Sequence, residues 1–197
     1  MGLTIDKCIE GWTNSLKQLR LKADIVFYGD SLTYYGDFAS VFPDKVVCNL
    51  GLRGDTIQGM INRIEQVCIM QPDKVYLMAG INDVTYCSLK TFEELYEMLI
   101  THMLLKLPTT SIVIQSILPV DDTDFTISCT SRQIMDCNAA IASLAQKYQL
   151  DFLDLFSVYA IRGKLPRKMT SDGIHLQYSA YSKWLDLLKA YIHYGRK

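Results

Sequence analysis

At 197 residues, 49% of them hydrophobic, the chain is long enough to bury one sizeable core and is read as a single domain over residues 1–197. Lys and Arg number 20 against 21 Asp and Glu, a formal charge of -1, so no basic excess exists to follow a phosphate backbone and nucleic acid is not an expected partner. No apolar stretch is long enough to cross a bilayer, and residues 1–7 show no basic segment leading into an apolar core. The expectation is a cytoplasmic chain, a leader removed beforehand aside, with no membrane insertion and with self-association into a homo-oligomer left open.

In chain order, a helix is expected over residues 5–21, then strands over 24–28, 45–49, 74–78, 111–117 and 151–155, each rich in Val, Ile, Tyr or Phe. Helical periodicity fills the intervals at 56–70, 91–107 and 132–148 and returns over 178–194. Thr91 is expected to cap its helix, with Glu93 and Glu94 in the first turn and Pro108 beyond the end. Strand alternating with helix means a parallel sheet covered on both faces. The leading architecture is a flavodoxin-like three-layer α/β/α sandwich with a five-stranded parallel sheet. The six cysteines are scattered, with no CxxC pair, and are read as reduced thiols, Cys48 and Cys68 serving as small hydrophobes.

Four short blocks fall beyond the ends of these strands. Gly29-Asp30-Ser31-Leu32 follows the first strand, and Asn49-Leu50-Gly51-Leu52-Arg53-Gly54-Asp55 follows the second. Gly80-Ile81-Asn82-Asp83 follows the third, and Asp172-Gly173-Ile174-His175 stands before the C-terminal helix. They supply a hydroxyl, an imidazole, a carboxylate and candidate amide donors, the groups that nucleophilic acyl transfer requires.

Taken singly, Ser31 reads as a helix N-cap, Gly51 and Gly54 as turn residues, Asn82 as an Asx turn with Asp83 capping the residues after it, and Asp172 as a cap. Only a shared task explains why all of them gather at one edge of the sheet. Gly51 alone is better left as a turn. Among the histidines, His102 lies inside a helix and His193 in the helical tail, whereas His175 has a carboxylate three residues before it at a helix start.

This ordered set resembles the SGNH hydrolase superfamily of GDSL-type esterases. The resemblance spans residues 24 to about 176 and implies Ser31 as nucleophile, His175 as base and Asp172 as orienting acid. It further implies Ser31, Gly54 and Asn82 as oxyanion-hole donors, and neither a metal nor an organic cofactor. Asp30 is expected to bond loop backbone, and Asp55 to meet the free N–H groups of a helix start. Arg53 and Tyr34 are the candidate substrate contacts, although a surface ion pair suits Arg53 better and packing suits Tyr34 equally. Specificity is expected in the acidic loop 120–130 and the basic loop 162–168.

The implied activity is hydrolysis of a small-molecule ester, with a short acyl group, acetyl first, carried on a polar alcohol such as a carbohydrate. Alternatives are a short-chain thioesterase, a lysophospholipase, or a flavodoxin-like binding protein without turnover. Phosphoryl transfer at Asp30 lacks the further acids and Lys that a Mg²⁺ site needs.

Overall fold

The computed structural model describes Gly11, residues 13–15 and residues 22–194. The helix expected over 5–21 lies almost wholly outside the described residues. Five strands form one parallel sheet in the order β2-β1-β3-β4-β5: β1 is Ile25–Gly29, β2 Val47–Gly51, β3 Lys74–Met78, β4 Ser111–Gln115 and β5 Asp151–Leu153. The chain leaves β1 for β2 on one side and returns to β3 on the other. The crevice opened by that reversal, beyond the carboxyl ends of β1 and β3, is where an open α/β sheet binds ligands.

Strand periodicity sorts the core into two layers. Val26, Tyr28, Val75, Leu77, Ile112 and Ile114 point to one face, where they meet α2 (Ile57–Arg63), α3 (Glu65–Met70), α4 (Leu89–Lys106) and α5 (Ser131–Lys147). Ile25, Phe27, Tyr76, Met78 and Val113 point to the other. There they meet α1 (Ser31–Tyr34), α6 (Leu155–Tyr159) and α7 (Ser182–Tyr194), through Leu32, Tyr159, Trp184 and Leu188. Phe27 stacks between Phe38 and Tyr76 with ring centroids 3.9 and 4.7 Å apart. Trp184, fully buried, donates its indole N–H to Gln115 Oε1 at 2.8 Å, which satisfies the indole inside the core.

Several boundaries differ from the sequence expectation for identifiable reasons. β1 and β2 run on to Gly29 and Gly51, because these glycines end strands rather than turns. A Cβ on Gly51 would lie 2.2 Å from the Tyr34 backbone nitrogen, and one on Gly29 2.1 Å from Thr33 Oγ1, so each glycine admits the close packing of α1. The helix expected over 56–70 is two, broken at Ile64. Ser88, not Thr91, caps α4, its hydroxyl accepting the Thr91 N–H at 3.1 Å. β5 stops at Leu153 because Asp154 caps α6 by accepting the Ser157 N–H. The tail opens with a 3₁₀ turn at Tyr178–Tyr181 before α7. Cys129 and Cys137 are buried, Cys48, Cys68 and Cys87 half-buried, and all five are free.

Candidate active site

At the head of β1 the chain turns directly into α1. Asp30 is the N-cap, accepting the Leu32 N–H at 2.8 Å. Ser31 is therefore the first helical residue and not the cap. Its backbone N–H has no protein acceptor among the described residues. Its Oγ lies 2.8 Å from His175 Nε2.

His175 stands in a tight turn, not at a helix start. An antiparallel bridge between Thr170 and Leu176 closes the turn. Inside it the Thr170 hydroxyl accepts the Gly173 N–H at 2.9 Å, with Gly173 at a φ of 89°. Asp172 Oδ2 is 2.7 Å from His175 Nδ1, while Oδ1 accepts the N–H groups of His175 at 2.8 Å and Ile174 at 3.0 Å. Burial works against ionisation of Asp172, but these hydrogen bonds prevail and hold its carboxyl below the usual carboxylate range. A carboxylate on Nδ1 favours the tautomer that keeps Nε2 free to accept a proton from Ser31.

Donors converge on the other side of Ser31. Gly54 adopts a φ of 73°, and no atom lies within 4 Å of where its Cβ would be. Glycine is needed there for the left-handed backbone rather than for protein contact. Its N–H has no protein acceptor among the described residues. Asn82 donates one amide hydrogen to the Asp55 carbonyl at 2.8 Å, which leaves the second for a ligand. Ser31, Gly54, Asn82 and His175 line a common cleft of about 430 Å³, whose apolar contacts are Ile81 and Ile174. A second cleft of about 400 Å³ adjoins it beyond His175, lined by Tyr35, Arg53, Asp172, Tyr178 and Tyr181 among others.

Beneath the clefts lies a buried ionic network that the sequence reading missed. Arg63, with no exposed side-chain surface, donates from Nε to Asp55 Oδ2 at 2.7 Å and from Nη2 to the Gly29 carbonyl at 3.0 Å. Its guanidinium lies 4.4 Å from the Tyr28 ring centre. Asp55 is thus chiefly the partner of Arg63, although Oδ1 also accepts the Thr56 N–H at 3.0 Å. The first α2 amide, Ile57 N–H, goes instead to Asp83 at 3.1 and 3.2 Å, so Asp83 caps a helix earlier in the chain rather than the residues after it. The available signal was a charged residue at a stripe position between Met60 and Val67, where periodicity asks for an apolar one.

Asp30 belongs to this buried layer. Burial first, and then the Asp55 and Asp83 charges, push its carboxyl up to about 7 against the opposing Leu32 N–H and Arg63. Burial likewise lifts Asp83 to about 6.

Other expected contacts are rearranged. Arg53 forms no ion pair among the described residues; its guanidinium lies 5.8 Å from the Tyr35 ring centre. Tyr35 rather than Tyr34 lines the cleft, and Tyr34 packs edge-on against it at 5.1 Å. Loops 120–130 and 162–168 line neither cleft. They bind each other, through Lys164 to Asp122 at 2.8 Å and Arg167 over Phe125 at 4.4 Å. The Asp121 N–H donates to the Gly173 carbonyl at 2.8 Å, so the acidic loop braces the histidine turn. His102 lies within α4, and His193 is exposed in α7. A larger cavity, about 520 Å³, opens at the opposite end of the strands beside Ile25, Phe42 and Lys74, but no Ser and His meet there.

Comparison with known proteins places these features in context. The profile of the GDSL-like Lipase/Acylhydrolase family matches residues 27–183. A solved Streptococcus pneumonia structure, named for platelet activating factor, is similar at 25% identity with a TM-score of 0.81, covering 93% of this chain and 92% of its own. A GDSL-like lipase from Bacteroides thetaiotaomicron is similar at 19% identity and TM-score 0.75, covering 98% of each chain. The lipase/acylhydrolase from Enterococcus faecalis reaches 21% and 0.72, covering 85% of this chain and 94% of its own. A search of curated proteins finds no match. Among the described residues no helix is long and apolar enough to cross a membrane, and no group of His, Cys, Asp and Glu is arranged to hold a metal ion.

Proposed function

Because the chain belongs to the GDSL-like lipase/acylhydrolase family, and is thereby a hydrolase acting on esters, we propose that it removes a short acyl group, acetyl first, from a polar carrier such as a carbohydrate. Ser31 is the nucleophile, His175 the base and Asp172 its orienting acid. The observation that carries this reading is the continuous path from Ser31 Oγ to His175 Nε2 at 2.8 Å and from Nδ1 to Asp172 Oδ2 at 2.7 Å.

In the first half-reaction Ser31 Oγ attacks the ester carbonyl while its proton passes to His175 Nε2. The imidazolium that forms is stabilised by Asp172. Charge growing on the carbonyl oxygen meets the N–H groups of Ser31 and Gly54 and the free amide hydrogen of Asn82, donors aligned before the reaction begins. Collapse expels the alcohol, which takes the proton from Nε2. Water then enters and attacks the acyl carbonyl as His175 removes its proton; the same donors stabilise the second tetrahedral intermediate, whose collapse breaks the bond to Ser31 Oγ, returns the proton from Nε2 to that oxygen and releases the acid.

Two features support a short acyl group on a polar carrier. The acyl side offers only Ile81 and Ile174 as apolar surface, too little to reward burial of a long chain. The carrier side presents Tyr35 and Tyr178, whose rings suit the apolar faces of a polar molecule and whose hydroxyls suit its polar edges; Tyr181 lines it from a buried position, its hydroxyl donating to the Leu32 carbonyl at 2.8 Å.

Hydrolysis of p-nitrophenyl esters from acetate to decanoate tests the proposal. Ser31→Ala is expected to lower kcat/KM by about 10³-fold or more with an unchanged thermal melt, and acetate or butyrate to exceed the decanoate. A Ser31→Ala protein with wild-type turnover overturns the nucleophile assignment. Decanoate as the best substrate favours a lysophospholipase.

A further inference from the structure

We infer that Arg53 forms an anion subsite for the leaving group, so that the carrier released by this enzyme bears a carboxylate or a phosphate. The inference rests on the serine-esterase reading above and adds to it the chemical class of the alcohol.

The direction of the reaction assigns the two clefts. The leaving oxygen must take its proton from His175 Nε2, so the carrier lies on the imidazole side of the scissile bond, away from the oxyanion donors. The cleft lined by Tyr35, Arg53, Asp172, His175 and Tyr178 is on that side and includes neither Gly54 nor Asn82. Gly54 and Asn82 line the other cleft with Ile81 and Ile174, the apolar side chains that an acyl group would meet there. His175 and Arg53 alone line both clefts. Arg53 therefore borders the bond that breaks and reaches the space the carrier occupies.

The guanidinium is also uncommitted. Among the described residues it makes neither a hydrogen bond nor an ion pair, and it lies over the Tyr35 ring at 5.8 Å. Tyr35 in turn meets the His175 ring edge-on at 5.9 Å, so the cation and the base both neighbour one aromatic ring. Arg132, Lys164 and Arg63, by contrast, are each matched to an aspartate. Asp172 is the acid within the same cleft, and its two oxygens are occupied by the His175 ring and by two backbone N–H groups. It is thus spent on the imidazole and does not neutralise Arg53. A planar fork of cationic donors matches a carboxylate or phosphate in bidentate fashion. Exposed Tyr178 lines the same cleft and is placed to cover the body of the carrier.

The test measures acetate release from three esters: an O-acetylated uronic acid, the matching neutral O-acetylated hexose, and the acetyl ester of glycerol 3-phosphate. Wild type, Arg53→Gln and Arg53→Lys are compared, with p-nitrophenyl acetate and Ser31→Ala as references. In wild type the better anionic ester is expected to exceed the neutral one in kcat/KM by about 10-fold or more. Arg53→Gln is expected to remove that ratio, chiefly through KM of the anionic ester, and Arg53→Lys to keep part of it. Which anionic ester shows the larger ratio identifies the source of the charge. Ser31-dependent hydrolysis with equal rates on charged and neutral esters, or a ratio unchanged in Arg53→Gln, overturns the anion subsite alone. Absence of Ser31-dependent hydrolysis on every ester overturns the esterase reading and the subsite with it.

Discussion

In the proposed mechanism Asn82 is a side chain oriented in advance. One amide hydrogen goes to the Asp55 carbonyl at 2.8 Å, and this bond fixes which way the second hydrogen points before any substrate arrives. A donor held in this way gains most when the carbonyl oxygen becomes an oxyanion, so Asn82→Ala is expected to lower kcat by about 10²–10³-fold with little change in KM. Steady-state kinetics normalised to titrated active sites, beside a thermal melt, checks this; a destabilised variant with unchanged kcat per folded site would return Asn82 to a turn-forming role. The candidate residues themselves were legible because each sits in a short string with a chemical reason: Ser31 beyond a strand, and Asp172 three residues before His175. Arg53 was legible as a candidate contact but not as an uncommitted cation, since the absence of a partner is a property of the folded surface. Gly51 was misread because a glycine that admits a neighbouring backbone looks, in sequence, like one that makes a turn.

At the scale of elements, the loops after β1, β2 and β3 are tied together by α2. Arg63 near its C-terminus reaches both Asp55 and the Gly29 carbonyl. At its N-terminus the Ile57 amide is held by Asp83. The helix thus couples the Ser31 block, the Gly54 block and the Asn82 block from below. Replacing Arg63 by Met removes one partner of a fully buried pair and leaves the Asp55 carboxylate without its counter-ion, which costs about 3–5 kcal/mol. The double variant Arg63→Met with Asp55→Asn is expected to recover part of that loss, because Asp55 no longer carries a charge without its counter-ion, and denaturant unfolding of the cycle measures it. Equal destabilisation in the single and double variants would show that packing, not charge, dominates. The charged residue on an apolar stripe was visible, but its partners were not, since Gly29 is 34 residues from Arg63. The break at Ile64 was hidden for a similar reason: the apolar period runs unbroken through Ile57, Met60, Ile61, Ile64 and Val67, with neither Gly nor Pro to mark an end.

For the molecule as a whole, alternation of strand and helix was enough to identify a three-layer sandwich, while the order β2-β1-β3-β4-β5 depends on long-range pairing that no local pattern carries. The loops 120–130 and 162–168 show the same limit. Their opposite charges were visible, but that they would neutralise each other instead of lining the cleft emerges only from their meeting at Asp122 and Lys164.

The buried acid layer adds a global consequence, a stability that depends on pH. Asp30 is buried with Oδ2 lacking a hydrogen-bond partner, and its carboxyl is pushed up to about 7 from 3.8. Between those values the native state binds more protons than the unfolded chain, so this group's contribution is fully present below about pH 4 and is lost as pH rises through about 7. Asp172 has the opposite sign, being held low in the fold and losing its contribution as pH falls. Asp30→Asn keeps an acceptor for the Leu32 N–H and removes both the titration and the charge that Asp55, Asp83 and Arg63 feel, while Asp172 remains in both proteins and cancels in the comparison. The melting temperature of Asp30→Asn relative to wild type is therefore expected to rise between pH 5 and pH 8, by on the order of 5 °C. Melts recorded across that interval decide the matter. A difference that stays constant with pH would mean that Asp30 ionises in the fold as readily as in water, and that the buried layer carries its charge at no cost in stability.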